Sequence, residues 1–433
     1  MKPPVSHAWR ALRHRNFQLY VIGQGISLTG TWMTRIAAGW LVYRLTNSAL
    51  LLGLVSFTGN IISFLVGPFA GVWVERLRRR ELLLWTQAIL AVQALTMAAL
   101  TLAGTVTLTQ VTVLIAIQGL VNGFDMPARQ AFLVQMVDER ADLGNAIAIN
   151  AALVNGARLV GPAIAGLIIA AYGEGWCFLI DGVSYFAVIT SLMLMRIKAV
   201  AVRRHTMSML AQIREGWHYV RGFRPIRDLL LLFTLVCLMG WPYTVLLPVF
   251  ASDVLHGGAH TLGWLSAAAG VGALASGVSL ALRHSEAGLI RSIRTATAVF
   301  GGGLMLFGLS HTLWLSLLLL ALVGYGMMQC ASAINMVIQD LVPEDKRARV
   351  LSYYTMAFFG AAPFGSLFAG MLAHRIGAPY AVIVTGACCI AGSVWFAFEL
   401  PHITRRVGAA VHHPVPPPPP GTELSGAVQE VAN

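Results

Sequence analysis

Charged side chains are scarce in this chain: Asp, Glu, Lys and Arg together make up 11% of 433 residues. Soluble globular chains carry about 25%, so a water-soluble enzyme is all but excluded. Acids are scarcest, 18 Asp and Glu against 30 Lys and Arg. Five cysteines, Cys177, Cys237, Cys330, Cys388 and Cys389, all fall in apolar stretches and form no CxxC pair. They read as packing residues, with no disulfide framework and no metal centre. A G-x-x-x-x-G-K-[ST] loop is missing, which excludes an ATP-driven pump. Gly301-Gly302-Gly303 lies inside an apolar run, and His412-His413 is an isolated pair. Neither enzymatic chemistry nor a cofactor is expected. The first apolar run lacks an AxA-type cleavage site and reads as an uncleaved span.

What the chain has is long apolar blocks. Hydrophobic residues make up 57%, and the mean hydropathy is +0.71. A bilayer core of ~30 Å needs ~20 apolar residues in helix. Charged or Gly/Pro breaks separate twelve such runs: 17–45, 49–74, 82–103, 106–128, 143–171, 175–196, 228–251, 261–282, 290–310, 312–338, 349–373 and 377–398. The expected fold is therefore an all-α polytopic membrane protein. Its segments are a cytoplasmic stretch 1–16, a six-helix half 17–196, a linker 197–227, a second half 228–398, and a disordered Pro-rich tail 399–433.

The net charge of +12 would suggest nucleic acid in a soluble protein. Here it sets orientation instead. Alternate loops hold 26 of the 30 Lys and Arg, and the opposite loops hold two, Arg44 and Arg375. This bias puts both termini in the cytoplasm of a bacterial-type inner membrane. Trp176, Trp264 and Trp314 then fall at outer boundaries, Trp73 and Trp85 at inner ones.

The halves repeat at an offset of 204 residues. Gln135, Gly156, Gly161, Gly166, Gly173 and Gly182 match Gln339, Gly360, Gly365, Gly370, Gly377 and Gly386. Two similar six-helix halves suit a transporter that rocks around a central cavity. In the linker, Met209, Leu210, Ile213, Trp217 and Val220 recur at helical spacing with Arg214 and Arg221 on another face. That pattern fits an amphipathic helix on the inner leaflet or a solvated loop helix.

Polar residues inside apolar spans are costly, so each faces a cavity or a partner helix. The candidates for cavity lining are Gln24, Asn60, Gln118, Asn150 and Asn155 in the first half, and Tyr243, Gln329 and Asn335 in the second. A charge at mid-membrane costs at least about 2.5 kcal/mol. Arg35 lies 18 residues past Phe17 and Arg158 15 past Leu143, about 27 Å and 22 Å along their helices. Asp181 sits five residues in from the other end. The three are expected to form one cluster, either an anion- or catechol-binding wall, an outer gate, or a packing lock. Asp125 and Arg129 are an i,i+4 pair near the inner end of the fourth span, in the favoured order. It reads as a relay to the cytoplasmic loop or as a static helix-end pair.

That loop reads Gly71-Val-Trp-Val-Glu75-Arg76-Leu-Arg78-Arg79-Arg80. It resembles the major facilitator superfamily signature G-x-x-x-D-R-x-G-R-R, with Glu75 for Asp and Arg78 for the second Gly. The fifth span carries Gly156-Ala-Arg158-Leu-Val-Gly161-Pro162-Ala-Ile-Ala-Gly166. This is similar to the helix-5 motif of facilitator exporters, and it bends around Pro162 as a pivot. With Asp125-Met-Pro127-Ala-Arg129, Asn145, Asn150 and Gly30-Thr-Trp32-Met-Thr-Arg35, the chain resembles the branch containing the enterobactin exporter and macrolide-efflux-like proteins. The resemblance implies two pseudo-symmetric bundles in the major facilitator fold. It also implies proton-coupled export of a siderophore or amphiphilic drug-like compound by alternating access, most simply by a monomer. Gly71, Glu75, Arg76, Arg79, Arg80, Asp125 and Arg129 become a cytoplasmic latch. The helix-4 Arg of many antiporters is replaced by Ile115, four residues before Gly119. Metabolite uptake, and a membrane scaffold or lipid scramblase, are the alternatives.

Overall fold

A computed structural model describes residues 9–137, 139–196, 217–218, 220–282 and 288–412. Within these, the side chains of 68, 71, 72, 75, 76, 140, 281, 345, 348 and 400–412 lie outside the description. Twelve long helices follow one another. They are α1 (Arg15–Thr46), α2 (Ala49–Arg76), α3 (Arg79–Leu102), α4 (Leu108–Leu133), α5 (Leu143–Tyr172) and α6 (Glu174–Leu194), then α7 (Arg224–Val254), α8 (Ala259–Ala281), α9 (Leu289–Leu309), α10 (Leu313–Leu341), α11 (Glu344–Ile376) and α12 (Ala378–His412). Every one except α1 is long and apolar enough to span a bilayer. The polar run Gln24, Ser27, Thr29, Thr31, Thr34 and Arg35 lowers the hydropathy of α1, which nevertheless extends for 32 residues against α5 and α6.

Local chemistry sets the boundaries. Asn47 takes a left-handed φ of 46° to end α1, and Ser48 caps α2 through a bond from the Leu51 amide. Thr107 and Gln110 form a reciprocal capping box at α4. Gly173 and Gly377, a matched pair of the repeat, turn the chain into α6 and α12 at φ 89° and 87°. Helix α12 continues to His412, so the tail expected from 399 as disordered is helical at its start. Of the linker pattern, Met209, Leu210, Ile213 and Arg214 lie outside the described residues. Val220 is buried in the main apolar core and the Trp217 ring lies 6.2 Å from that of Tyr353 on α11. This part of the linker faces protein.

Repeated glycines occupy equivalent places. A Cβ on Gly166 of α5 would sit 2.9 Å from the Gly263 Cα of α8, and one on Gly370 of α11 the same distance from the Gly53 Cα of α2. Gly161 leaves room for Trp32 of α1, as Gly365 does for Pro242 of α7. Gly182 packs on Leu95 of α3, and Gly386 on Leu304 of α9. The halves are thus built alike, and they meet through α5 against α8 and α2 against α11.

These crossings lie toward one end of the molecule. Both backbone contacts, Gly166–Gly263 and Gly53–Gly370, fall in the turns far from the basic loops. There the Tyr43 hydroxyl of α1 donates to the Asp253 carboxylate of α7 at 2.5 Å. Toward the basic end, a Cβ on Gly67 of α2, Gly156 of α5 or Gly277 of α8 would meet nothing within 4 Å. The two halves touch backbone to backbone at the far end, whereas these three glycines toward the basic end have open space beside them.

Tyr43→Phe removes a hydrogen bond to a charged group, worth about 1.5–3 kcal/mol. A far-end-open population should then rise roughly tenfold or more. Labelling of a cysteine at Gly39, which faces Pro248 across the same seam, by a membrane-impermeant maleimide reports it. An unchanged rate would remove Tyr43 from the seal.

Candidate functional site: a cation–tryptophan stack and a buried acid network

Helix α7 is not regular. It is α-helical over Arg224–Leu235 and Tyr243–Val249, and π-helical over Val236–Gly240 and Phe250–Val254. The first π turn ends at Trp241-Pro242, where proline supplies no N–H to continue the ladder. Such turns often mark functional positions. This one aims Trp241 at the Arg158 guanidinium, 5.1 Å from the ring centroid. Arg158 also lies 5.6 Å from the Trp32 ring centre, and Arg35 lies 4.8 Å from the same ring. Gly161, one turn above Arg158, allows this approach because any larger side chain would strike Trp32.

Four side chains from α1, α5 and α7 therefore form a row across both halves. Arg35 is exposed and Arg158 half-buried, and Arg158 meets Trp241 of the opposite half. Neither has an ion-pair or hydrogen-bond partner among the described residues. Cation–π contacts contribute about 0.5–2 kcal/mol each, depending on desolvation. Two like charges within about 10 Å repel by roughly 1.7 kcal/mol at an effective ε of 20. Stacking compensates part of the cost of holding two arginines at this depth and leaves their in-plane N–H groups open.

Asp181 does not join them. It is fully buried where α6 crosses α1 at Gly30, with the Thr31 hydroxyl at 3.5 Å and Oδ2 unpartnered. The expected three-charge cluster is corrected to two arginines. Helix α6 is held on the rear of α1, away from the central gap, so matched depth did not mean a shared face.

Asp125 organises a second site. Its carboxylate accepts from Thr86 at 2.8 Å and Gln87 at 2.7 Å, and pairs closely with Arg129. A small cavity lined by Tyr20, Gln24, Gln87 and Arg129 adjoins it. Gln87 Oε1 and Arg129 Nη1 are left unpaired there. Tyr20 donates to Asn150 at 2.9 Å, tying α1 to α5 beside this network.

In the basic loop, Arg79 donates to the Ala131 carbonyl at 3.0 Å. Arg80 donates to the Leu192 and Met193 carbonyls, both at 2.8 Å. These arginines cap the ends of α4 and α6, where the helix dipole is negative. The side chains of Gly71, Glu75 and Arg76 lie outside the described residues.

The remaining candidates divide by burial. Gln24, Tyr243 and Gln329 are buried, and Gln24 lines the small cavity beside Asp125. Gln329 accepts from Ser276 at 2.9 Å and donates to Ser292 at 3.2 Å, joining α10 to α8 and α9. Asn155 and Asn60 donate to their own helices, to the Ala151 and Ser56 carbonyls. Asn335 accepts from Gln339 at 2.5 Å, and Gln118 is half-buried. Of the helix-5 glycines, Gly161 and Gly166 are contact points, and Gly156 has open space. Pro162 contributes its carbonyl to the Gly263 crossing. Sequence reasoning missed Trp241 and the Tyr43–Asp253 pair. The mid-span Trp-Pro dipeptide was the available signal for the first; nothing local marked the second.

The chain is similar to transporters of known activity. The chain is 24% identical to the staphyloferrin A transporter of Staphylococcus aureus, covering 85% of this chain and 92% of that one. It is 26% identical to the multidrug efflux pump Tap of Mycolicibacterium fortuitum, covering 80% and 87%. Among solved structures, a bacterial homologue of the iron transporter ferroportin in an inward-facing state superimposes with a TM-score of 0.68. That match has 17% identity and covers 88% of this chain and 98% of that one. The transmembrane secretion effector profile matches residues 6–425. The chain belongs to that family of major facilitator transporters: it is a multi-pass membrane protein that carries a small molecule across the bilayer and not an enzyme.

Proposed function

We propose that the protein is a proton-coupled exporter that loads an amphiphilic or siderophore-like compound from the cytoplasm and releases it on the far side. One observation carries this reading. The two halves touch backbone to backbone at the far end, and glycines of the same interface helices have open space beside them toward the basic end. The 26-to-2 distribution of Lys and Arg supports a cytoplasmic basic end, and the bacterial relatives support a bacterial inner membrane. This form, pinched at the far end, is then the loading state. Relatives that carry staphyloferrin A, and that pump several drugs, support export of such compounds.

Rocking the halves about α5–α8 and α2–α11 exchanges the two openings. The whole pathway lies between halves of one chain, so the working unit is a monomer. Asp125 is the proton carrier in this scheme. It sits in a polar network beside a small cavity, at the depth of the Glu75 loop, and its partner Arg129 retains an unpaired N–H. Arg79 and Arg80 hold that loop to α4 and α6, so that Glu75 moves with the first half.

Inverted membrane vesicles test the reading. Acidifying the lumen should drive accumulation of a fluorescent amphiphile or a siderophore, at least about tenfold over vesicles without the protein. A protonophore should abolish it. Accumulation only in right-side-out vesicles would replace export by uptake.

A further inference from the structure

We propose that Arg35, Trp32, Arg158 and Trp241 form an anion clamp, and that the cargo is an organic polyanion bearing at least two carboxylates. This rests on the export reading and adds the chemical class of what is exported. Two guanidiniums share the Trp32 ring, and Arg158 meets Trp241 of the opposite half. The acids on the surrounding helices are committed elsewhere. Asp125 pairs with Arg129, Glu174 with Arg44, Asp228 with Arg227, and Asp253 accepts from Tyr43. Asp181 is sealed under Gly30. A central space with two positive charges and no acid within ion-pair reach, among the described residues, repels cations and attracts anions.

Geometry narrows the anion. A guanidinium stacked on an indole face keeps its N–H edge free in the ring plane, and that edge matches the two oxygens of a carboxylate. Two such edges on one tryptophan call for two carboxylates on one molecule. The exposed tryptophan surface takes flat or apolar parts of the cargo between them. Because α1 and α5 belong to one half and α7 to the other, Trp241 moves relative to Trp32 whenever the halves rock. Arg158 lies between the two rings, so the clamp is complete only in the pinched form. Opening the far end separates Trp241 from Arg158 and weakens the hold at the moment of release.

Binding to the purified full chain in nanodiscs tests this apart from transport. The probes are citrate, inorganic phosphate and the lipophilic cation tetraphenylphosphonium. Citrate should bind. Arg35→Gln and Arg158→Gln should each weaken it about tenfold to a hundredfold. Arg158→Lys keeps the charge and should recover part of the loss. Trp32→Leu should weaken citrate several-fold with both arginines intact. Affinity should fall as salt rises. Phosphate binding as tight as citrate would overturn the carboxylate assignment. Binding of the cation but not of citrate, or arginine variants that bind citrate like wild type, would overturn the clamp altogether. Vesicle transport of a neutral amphiphile in that case would leave export standing. Citrate binding without any transport would instead remove the export reading and keep the clamp.

Discussion

Gly166→Val is expected to cut transport severely while leaving the protein folded and in the membrane. A Cβ at this position would lie 2.9 Å from the Gly263 Cα, 3.0 Å from the Ala259 carbonyl oxygen and 3.2 Å from the His260 Cα. All three are backbone atoms, so no rotamer relieves the clash. Helix α5 or α8 must move outward, and overpacking of this kind costs about 1–3 kcal/mol. Small residues are what allow membrane helices to approach this closely. The strain falls on the pinched form alone, because this crossing opens when the halves rock. An equilibrium biased by about 2 kcal/mol shifts roughly thirtyfold. Gly370→Val on α11 should do the same through Gly53, whereas Gly156→Ala, with open space around it, should transport like wild type. Vesicle transport of the three variants at matched expression decides. An active Gly166→Val would mean that the crossing is not part of the cycle.

The second large effect is expected at Asp125. Asp125→Asn leaves the Arg129 guanidinium buried without its counter-charge. Removing one partner of a buried pair costs about 3–5 kcal/mol. Thermal unfolding in detergent should show a fall of several degrees. The double variant Asp125→Asn/Arg129→Gln restores neutrality and should regain most of the lost stability. If Asp125 carries the proton, the double variant remains unable to couple transport to a pH gradient. Recovery of both stability and coupling would reduce the pair to a helix brace. The Thr86 and Gln87 bonds to the same carboxylate give that test a stable frame.

Much of the fold could be read from hydropathy and glycine alone. The spans proposed from apolar runs agree with the helices to within a few residues at most ends, because a bilayer demands long apolar helices with no alternative. The offset of 204 was legible in Gly161, Gly166, Gly173 and Gly182, since each glycine is required by a contact or a turn that both halves repeat. Helix α12 outran its expected end because charge ends a span without ending a helix.

The site was less legible. Depth along a helix can be counted, and Arg35 and Arg158 were found that way. Which face a residue takes depends on how neighbouring helices rotate, and that grouped Asp181 wrongly with them. Trp32 was visible as part of a motif, but its place between two guanidiniums needed α5 to be seated on α1 at Gly161. Trp241 required the π turn in α7, which no periodicity announces. Gln329 was polar at the right depth and bonds Ser276 and Ser292 of its own bundle, the commoner use of polar groups in membrane helices.

The central claim is that one chain alternates between a cytoplasm-open form, pinched at the far end, and its reverse. Spin-label distances test it most directly. With the native cysteines replaced, one pair of labels goes at Arg78 and Glu344 on the basic-end loops, the other at Gly104 and His311 on the far-end loops. At rest the account predicts a long basic-end distance and a short far-end one. Lowering the pH should exchange them in a single population shift. Two distances that never change, or that lengthen together, would contradict rocking that opens the glycine crossings.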